Sequence, residues 1–162
     1  MESYQFNFKK SFGQNFLRDR NIVKRIVESA EIKDNSLVVE IGPGAGILTQ
    51  ELSKVAKQVI AYEIDDRLEA ILDRNLTNCS NVNIIYDDFL KRNLKDDLKH
   101  YTYEQLYVVS NLPYYITTPI IMKLIEEELE VEKIVVMVQK EVGDRFGAEP
   151  GRKEYNSLTV FL

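Results

Sequence analysis

Five consecutive residues, Ser110, Asn111, Leu112, Pro113 and Tyr114, combine groups suited to one difficult reaction. The exocyclic amino group of adenine is a poor nucleophile because its lone pair is delocalised into the ring. The side-chain oxygen of Asn111 and the carbonyl of Leu112 can accept its two N–H bonds. That draws the nitrogen toward tetrahedral geometry and aims its lone pair outward. Pro113 fixes φ and brings no N–H, which stiffens the segment. Tyr114 can stack on a base turned out of its helix. No strong base is required during transfer of a methyl group, since the attacked nitrogen becomes cationic and its proton can leave to water afterwards. The same residues also fit an ordinary turn with a packing tyrosine.

A loop at 40–46 carries Glu40 and then Gly42, Gly44 and Gly46. Glycines permit unusual dihedrals and close approach of a ligand to the backbone. The dinucleotide fingerprint would place its third glycine at 47, which is Ile47 here. An acid two residues before the first glycine matches loops for S-adenosylmethionine, whose ammonium a carboxylate can receive. Glu63 follows Gly42 by 21 residues, at the spacing where an acid accepts both hydroxyls of an adenosine ribose. One of Asp87 and Asp88 can accept the adenine amino proton of such a cofactor, leaving the other as a solvated turn residue. A plain strand-to-helix turn also needs glycine, and a strand-end glutamate can simply be solvated.

These groups need a frame. Apolar runs at 37–41, 58–62, 82–86, 106–110 and 133–138 read as buried strands. Between them, Ile47, Leu48, Leu52 and Val55 fall at helical spacing, as do Leu68, Ile71, Leu72 and Leu76. Thr118 before Pro119 predicts an N-cap with proline at the first helical position, followed by an apolar face of Ile120, Ile121, Leu124 and Ile125. Near-continuous Val/Ile strands separated by helices predict a doubly wound α/β domain with a mostly parallel sheet covered on both faces.

The length of 162 residues fits one domain spanning 1–162, with a basic segment and helix over 1–35. Apolar residues make up 44% and charged residues 29%, enough to bury a core. No apolar run approaches the ~18 residues of a membrane span, and the first residues lack a signal-peptide pattern. The expected location is therefore the cytoplasm, with no membrane contact. One cysteine, Cys79, excludes an internal disulfide, and with one histidine, His100, it argues against a metal site or a Ser-His-Asp triad. The net charge is −5, but residues 1–30 hold six Lys/Arg against three Asp/Glu, while the remainder hold fifteen against twenty-three. A basic head on an acidic body predicts that an anionic partner meets the N-terminal side.

Taken together, the motif at 11–17 (Ser11 to Leu17), the 40–46 loop, Glu63, Asp88, 111–114 and the run 138–142 resemble the small-subunit ribosomal RNA adenine N6-dimethyltransferase family, the KsgA type. The resemblance covers nearly everything from Lys10 to Leu162. It implies a Rossmann-like class I methyltransferase that uses S-adenosylmethionine, yields S-adenosylhomocysteine and needs no metal. It further implies that Gln14, Asn15, Leu17, Gly42, Gly44, Glu63, Asp88 and Asn111 line the cofactor. The resemblance also implies that Asn111, Leu112 and Tyr114 handle the target adenine. The implied partner is small-subunit ribosomal RNA within the pre-30S particle, met by a monomer. Such enzymes place two methyl groups on each of two adjacent adenosines near the 3′ end of that RNA.

Family members continue into further strands, an aromatic-bearing loop and a small helical domain. The apolar segment at 158–162 fits a chain truncated before those parts. Three rival readings stay open at this level. The large-subunit adenine methyltransferase of macrolide resistance shares the loop and an Asn-x-Pro-Tyr motif. A ribosome-assembly factor can act by binding alone. A small-molecule methyltransferase fits the glycine loop but gives no reason for Asn-Leu-Pro-Tyr.

Overall fold

The computed structural model describes residues 19–112 and 116–137. The chain enters through α1 (Arg20–Ala30), whose N-cap Asp19 accepts the Asn21 N–H at 2.8 Å. Val23, Ile26 and Ala30 form its buried stripe. There follow β1 (Ser36–Ile41), α2 (Ile47–Leu52), β2 (Gln58–Glu63), α3 (Glu69–Asn75) and β3 (Val82–Tyr86). The second half comprises α4 (Leu94–Leu98), β4 (Gln105–Asn111), α5 (Thr117–Glu126) and β5 (Val131–Met137). Short 3-10 turns at Asp66–Leu68 and Phe89–Lys91 precede α3 and α4.

The five strands form one parallel sheet in the order β3-β2-β1-β4-β5. Side chains alternate across its two faces. Leu37, Val39, Ile41, Ile60, Tyr62, Leu106 and Val108 meet Leu94 and Leu98 of α4 and Ile120 and Leu124 of α5. Val38, Val59, Tyr107 and Val109 meet α1 and α2 on the other face. Leu68, Leu72 and Leu76 pack the α3 region against β3. The central strand β1 is buried at every position, whereas the edge strands β3 and β5 are not. The doubly wound architecture expected from the apolar runs is the one observed.

The order of connections reverses between β1 and β4, which creates a crevice beyond their carboxyl ends. Open α/β sheets bind ligands in such a crevice. The glycine loop leaves β1 and the Asn111 segment leaves β4, so topology brings the two motifs together although they are far apart in sequence.

Two local expectations differ from the structure. Helix α5 begins at Thr117, with Ile116 as its N-cap and no side-chain capping bond. Thr118 is therefore inside the helix, and Pro119 takes its third position. That position tolerates proline because its N–H has no intrahelical partner, and the first bond runs from the Ile120 N–H to the Ile116 carbonyl. Val55 is also not on the buried face of α2: it is 39% exposed, while Ala56 is 8% exposed. Past Leu52 the chain tightens into 3-10-type bonds, Lys54 N–H to Glu51 and Val55 N–H to Leu52, which turns Val55 outward. The last residue of the expected fifth strand, Val138, lies outside the described residues.

Candidate active site at the carboxyl edge of the sheet

The glycine loop turns sharply after β1. Gly42 and Gly46 have φ of 72° and 79°, in the left-handed region where a Cβ is strained. Their surroundings differ. A Cβ on Gly46 would meet Leu72 Cδ2 at 3.1 Å and Leu76 Cδ2 at 3.3 Å, so this glycine seats α2 against α3. A Cβ on Gly42 would meet nothing within 4 Å, leaving space for a ligand beside the backbone. Gly46→Ala therefore loses about 1–3 kcal/mol of stability from backbone strain and crowding combined. Gly42→Ala loses only the strain but weakens ligand binding. Thermal melts and ligand titrations of both variants check this, and equal melting temperatures would contradict it.

Glu63 closes the loop from β2. Its side chain is 1% exposed; Oε2 accepts the Gly44 N–H at 3.1 Å and Oε1 accepts the Asp65 N–H at 2.9 Å. Burial raises its pKa, and these backbone N–H groups pull it back down. One carboxylate thus ties the loop after β1 to the turn after β2. Between Glu63 and Asp65 stands Ile64, 45% exposed at the same edge. An exposed isoleucine beside a ligand cleft offers an apolar surface to a flat ring, a feature the sequence reading missed because the position looks like the end of a strand.

Glu40 lies deeper than its place in the motif implies. It is 1% exposed, and Oε2 has no well-formed hydrogen bond among the described residues. Burial pushes its pKa up to about 8; the nearby Thr49 hydroxyl lowers it and the Glu63 carboxyl raises it further. Thr49 Oγ1 also lacks a well-formed bond. The acid expected to receive an ammonium at the loop surface is a buried group whose pKa burial raises to about 8. Between its ordinary value of 4.5 and about 8 the unfolded chain is ionised while the folded chain keeps the proton. Stability therefore declines as pH rises through that window, by up to about 1.4 kcal/mol per pH unit. Glu40→Gln removes this slope, so it stabilises the ligand-free protein more at pH 8 than at pH 5. Denaturant titrations that show the same gain at both values would contradict this.

Beyond β3, Asp87 and Asp88 are both engaged. Asp88 Oδ1 caps the next turn by accepting the Leu90 N–H at 3.1 Å, and its other oxygen lies 3.3 Å from Lys91 Nζ. Asp87 accepts the Asp88 N–H at 2.7 Å and an Arg92 N–H at 3.1 Å. Asp87 is the exposed one of the two, as expected, and it is also the partner of Arg92.

Beyond β4, Asn111 ends the strand and Leu112 is buried, its N–H donating to the Met137 carbonyl at 3.2 Å. Ser110 is wholly buried, and its Oγ accepts the Ile41 N–H at 2.8 Å, pinning the ends of β1 and β4 where the crevice opens. Nothing local in the sequence signals that bond. Gly42, Gly44, Glu63, Asp88, Asn111 and Leu112 therefore all lie on the carboxyl edge. Gln14, Asn15, Leu17 and Tyr114 lie outside the described residues. Among the described residues no cluster of three or more His, Cys, Asp or Glu could hold a metal, and no helix is long and apolar enough to cross a membrane.

A parallel sheet in this order, with a glycine loop at its switch point and acids ending the next two strands, defines a doubly wound domain of the methyltransferase class. A solved dimethyladenosine transferase from Plasmodium falciparum is similar over 90% of this chain and 51% of its own, with a TM-score of 0.75 and 30% identity. The 23S rRNA methyltransferase ErmE also gives a TM-score of 0.75, at 36% identity, over 90% of this chain and 56% of its own. The chain belongs to the ribosomal RNA adenine dimethylase family, whose model matches residues 5–162. Ribosomal RNA small subunit methyltransferase A of Bacillus mycoides is 54% identical over the whole chain. The chain spans about half, 56%, of that relative's length.

Proposed function

We propose that this chain is the cofactor-binding and catalytic portion of a protein that methylates N6 of two adjacent adenosines near the 3′ end of small-subunit ribosomal RNA. The convergence of Gly42, Gly44, Glu63, Asp88 and Asn111 on one crevice carries the reading. The residues fit S-adenosylmethionine better than a dinucleotide. Ile47 stands where the dinucleotide fingerprint needs its third glycine, and Asp88 beyond β3 adds an acid suited to an adenine amino group. Glu63 holds the ribose hydroxyls, Asp88 receives the adenine amino group, and Ile64 covers the ring. Gln14, Asn15 and Leu17 complete the pocket on the strength of the family resemblance.

When bound, the cofactor supplies an activated methyl group on a sulfonium. The protein's own contribution is to the other reactant. Asn111 and the Leu112 carbonyl accept the two N–H bonds of the target adenine, and Tyr114 stacks on the base. The nitrogen's surplus proton leaves to water, so no histidine is needed.

The particular RNA follows from relatedness. The small-subunit relative is 54% identical, against 36% for ErmE, while the two solved folds are equally similar. The large-subunit reading therefore stands second, supported by the fold of ErmE, and action by binding alone stands third. A location in the cytoplasm, a monomeric state and the pre-30S particle as partner belong to the same proposal. Incubating the full-length protein with labelled cofactor and either separated ribosomal subunit tests it. Label is expected in the small subunit, and label confined to the large subunit selects the rival.

The basic N-terminal side adds a salt-dependence. Arg20, Lys24 and Arg25 are exposed on α1. Lys9 and Lys10 precede them, and each phosphate neutralised adds about one unit to the slope of log affinity against log salt. Lys54 instead pairs with Glu51 at 2.6 Å, and Lys57 donates to the Thr102 carbonyl at 3.1 Å. Charge reversal at Lys9 and Lys10 flattens the slope for RNA binding by the full-length protein, and reversal at Lys54 and Lys57 leaves it. Equal effects of the two pairs would remove the N-terminal contact.

A further inference from the structure

The loop from Asp87 to Asn93 is held by a clasp centred on Arg92. Arg92 Nε donates to Asp97 Oδ2 at 3.0 Å, and Nη2 donates to Asp97 Oδ1, forming a two-point fork. Nη1 of the same guanidinium donates to Asp87 Oδ2 at 3.1 Å. The other oxygen of Asp87 accepts the backbone N–H of Asp88. Asp97 is 9% exposed in its side chain and also accepts the Tyr62 hydroxyl at 3.0 Å, which anchors the chain of contacts to β2. On its far side, the Arg92 carbonyl accepts Lys123 Nζ of α5 at 2.7 Å. The ring of Phe89, inside the same loop, packs edge-on against Tyr62 at 5.2 Å between centroids.

We propose that Arg92 is a positioning residue for recognition of the cofactor's adenine: through Asp87 it fixes the backbone of Asp88, the residue that receives the adenine amino group. The inference rests on the Asp88 assignment made above. A planar guanidinium can satisfy Asp97 at two points and still reach Asp87, which a lysine ammonium cannot do with fixed geometry. The alternative is a clamp that merely holds α4 in place. Such a clamp would affect every ligand of the pocket alike, whereas positioning of Asp88 affects only the contact to the purine 6-position.

Comparing S-adenosyl-L-homocysteine with S-inosyl-L-homocysteine probes the purine edge where that contact is made, positions 6 and 1 together. The inosyl compound presents an oxygen where the adenosyl compound presents an amino group, and a carboxylate rejects it. Both are titrated by calorimetry into the full-length protein and into Arg92→Met, Arg92→Lys, Asp87→Asn and Asp88→Asn variants. The preference for the adenosyl compound is expected to drop at least tenfold in Arg92→Met, with partial recovery in Arg92→Lys. Asp87→Asn, a change at a side chain 44% exposed, leaves the fold intact and lowers the preference in the same direction. Asp88→Asn abolishes or inverts it. If Asp88→Asn changes the preference while the Arg92 and Asp87 variants keep the parental ratio, Arg92 has no positioning role. If Asp88→Asn also keeps the parental ratio, the Asp88 assignment fails and the inference falls with it.

Discussion

Full-length protein carrying Asn111→Ala is expected to lose methyl transfer to adenosine by at least about a hundredfold while remaining folded. Removing one preorganised hydrogen-bonding group from a transition state costs about 3–4 kcal/mol in well-studied enzymes, or two to three orders of magnitude in rate. The amino nitrogen here becomes reactive only as its lone pair leaves conjugation with the ring, so the group holding its N–H bonds acts chiefly in the transition state. The scaffold is placed to hold Asn111 still. Ser110 before it accepts the Ile41 N–H at 2.8 Å, and Leu112 after it donates to Met137 at 3.2 Å. Cofactor binding is expected to survive in part, since Glu63 and the glycine loop remain. Single-turnover transfer to small-subunit particles measures the effect, and a rate near the parental one would make the loop purely structural.

Glu63→Ala is expected to weaken S-adenosylmethionine binding by at least tenfold, and by about a hundredfold or more where both ribose bonds are lost. Each hydrogen bond between a hydroxyl and a carboxylate contributes about 1.5–3 kcal/mol, and a ribose diol makes two. The variant also leaves the Gly44 and Asp65 N–H groups without the carboxylate that now receives them, which loosens the loop further. The fold survives because Glu63 stands outside the three apolar clusters that hold the strands and helices together. Calorimetric titration reads the effect, and unchanged affinity would take Glu63 out of the pocket.

Much of the frame was legible from residue patterns. The expected third strand matches Val82–Tyr86, and the first, second and fourth differ only at their ends, because buried parallel strands are written as local apolar runs. The glycine loop and Glu63 were legible for a similar reason, since each stands at the end of a recognisable strand. What escaped depends on partners distant in sequence. The Ser110–Ile41 bond and the Arg92–Asp97–Tyr62 contacts exist only once β4 lies beside β1 and α4 lies over β2. The burial of Glu40 has the same origin, being set by α2 and the neighbouring strands. Thr118 and Pro119 misled because a threonine before a proline scores well as a cap, while packing starts the helix at the buried Thr117.

A crystal structure of the full-length protein with S-adenosyl-L-homocysteine tests the central claim most directly. The ligand is expected in the crevice beyond β1 and β4, with its ribose hydroxyls on Glu63, its adenine amino group on Asp88 and its sulfur toward Asn111. Density for the ligand at another edge of the sheet, or with the nucleoside turned away from Glu63 and Asp88, would contradict it.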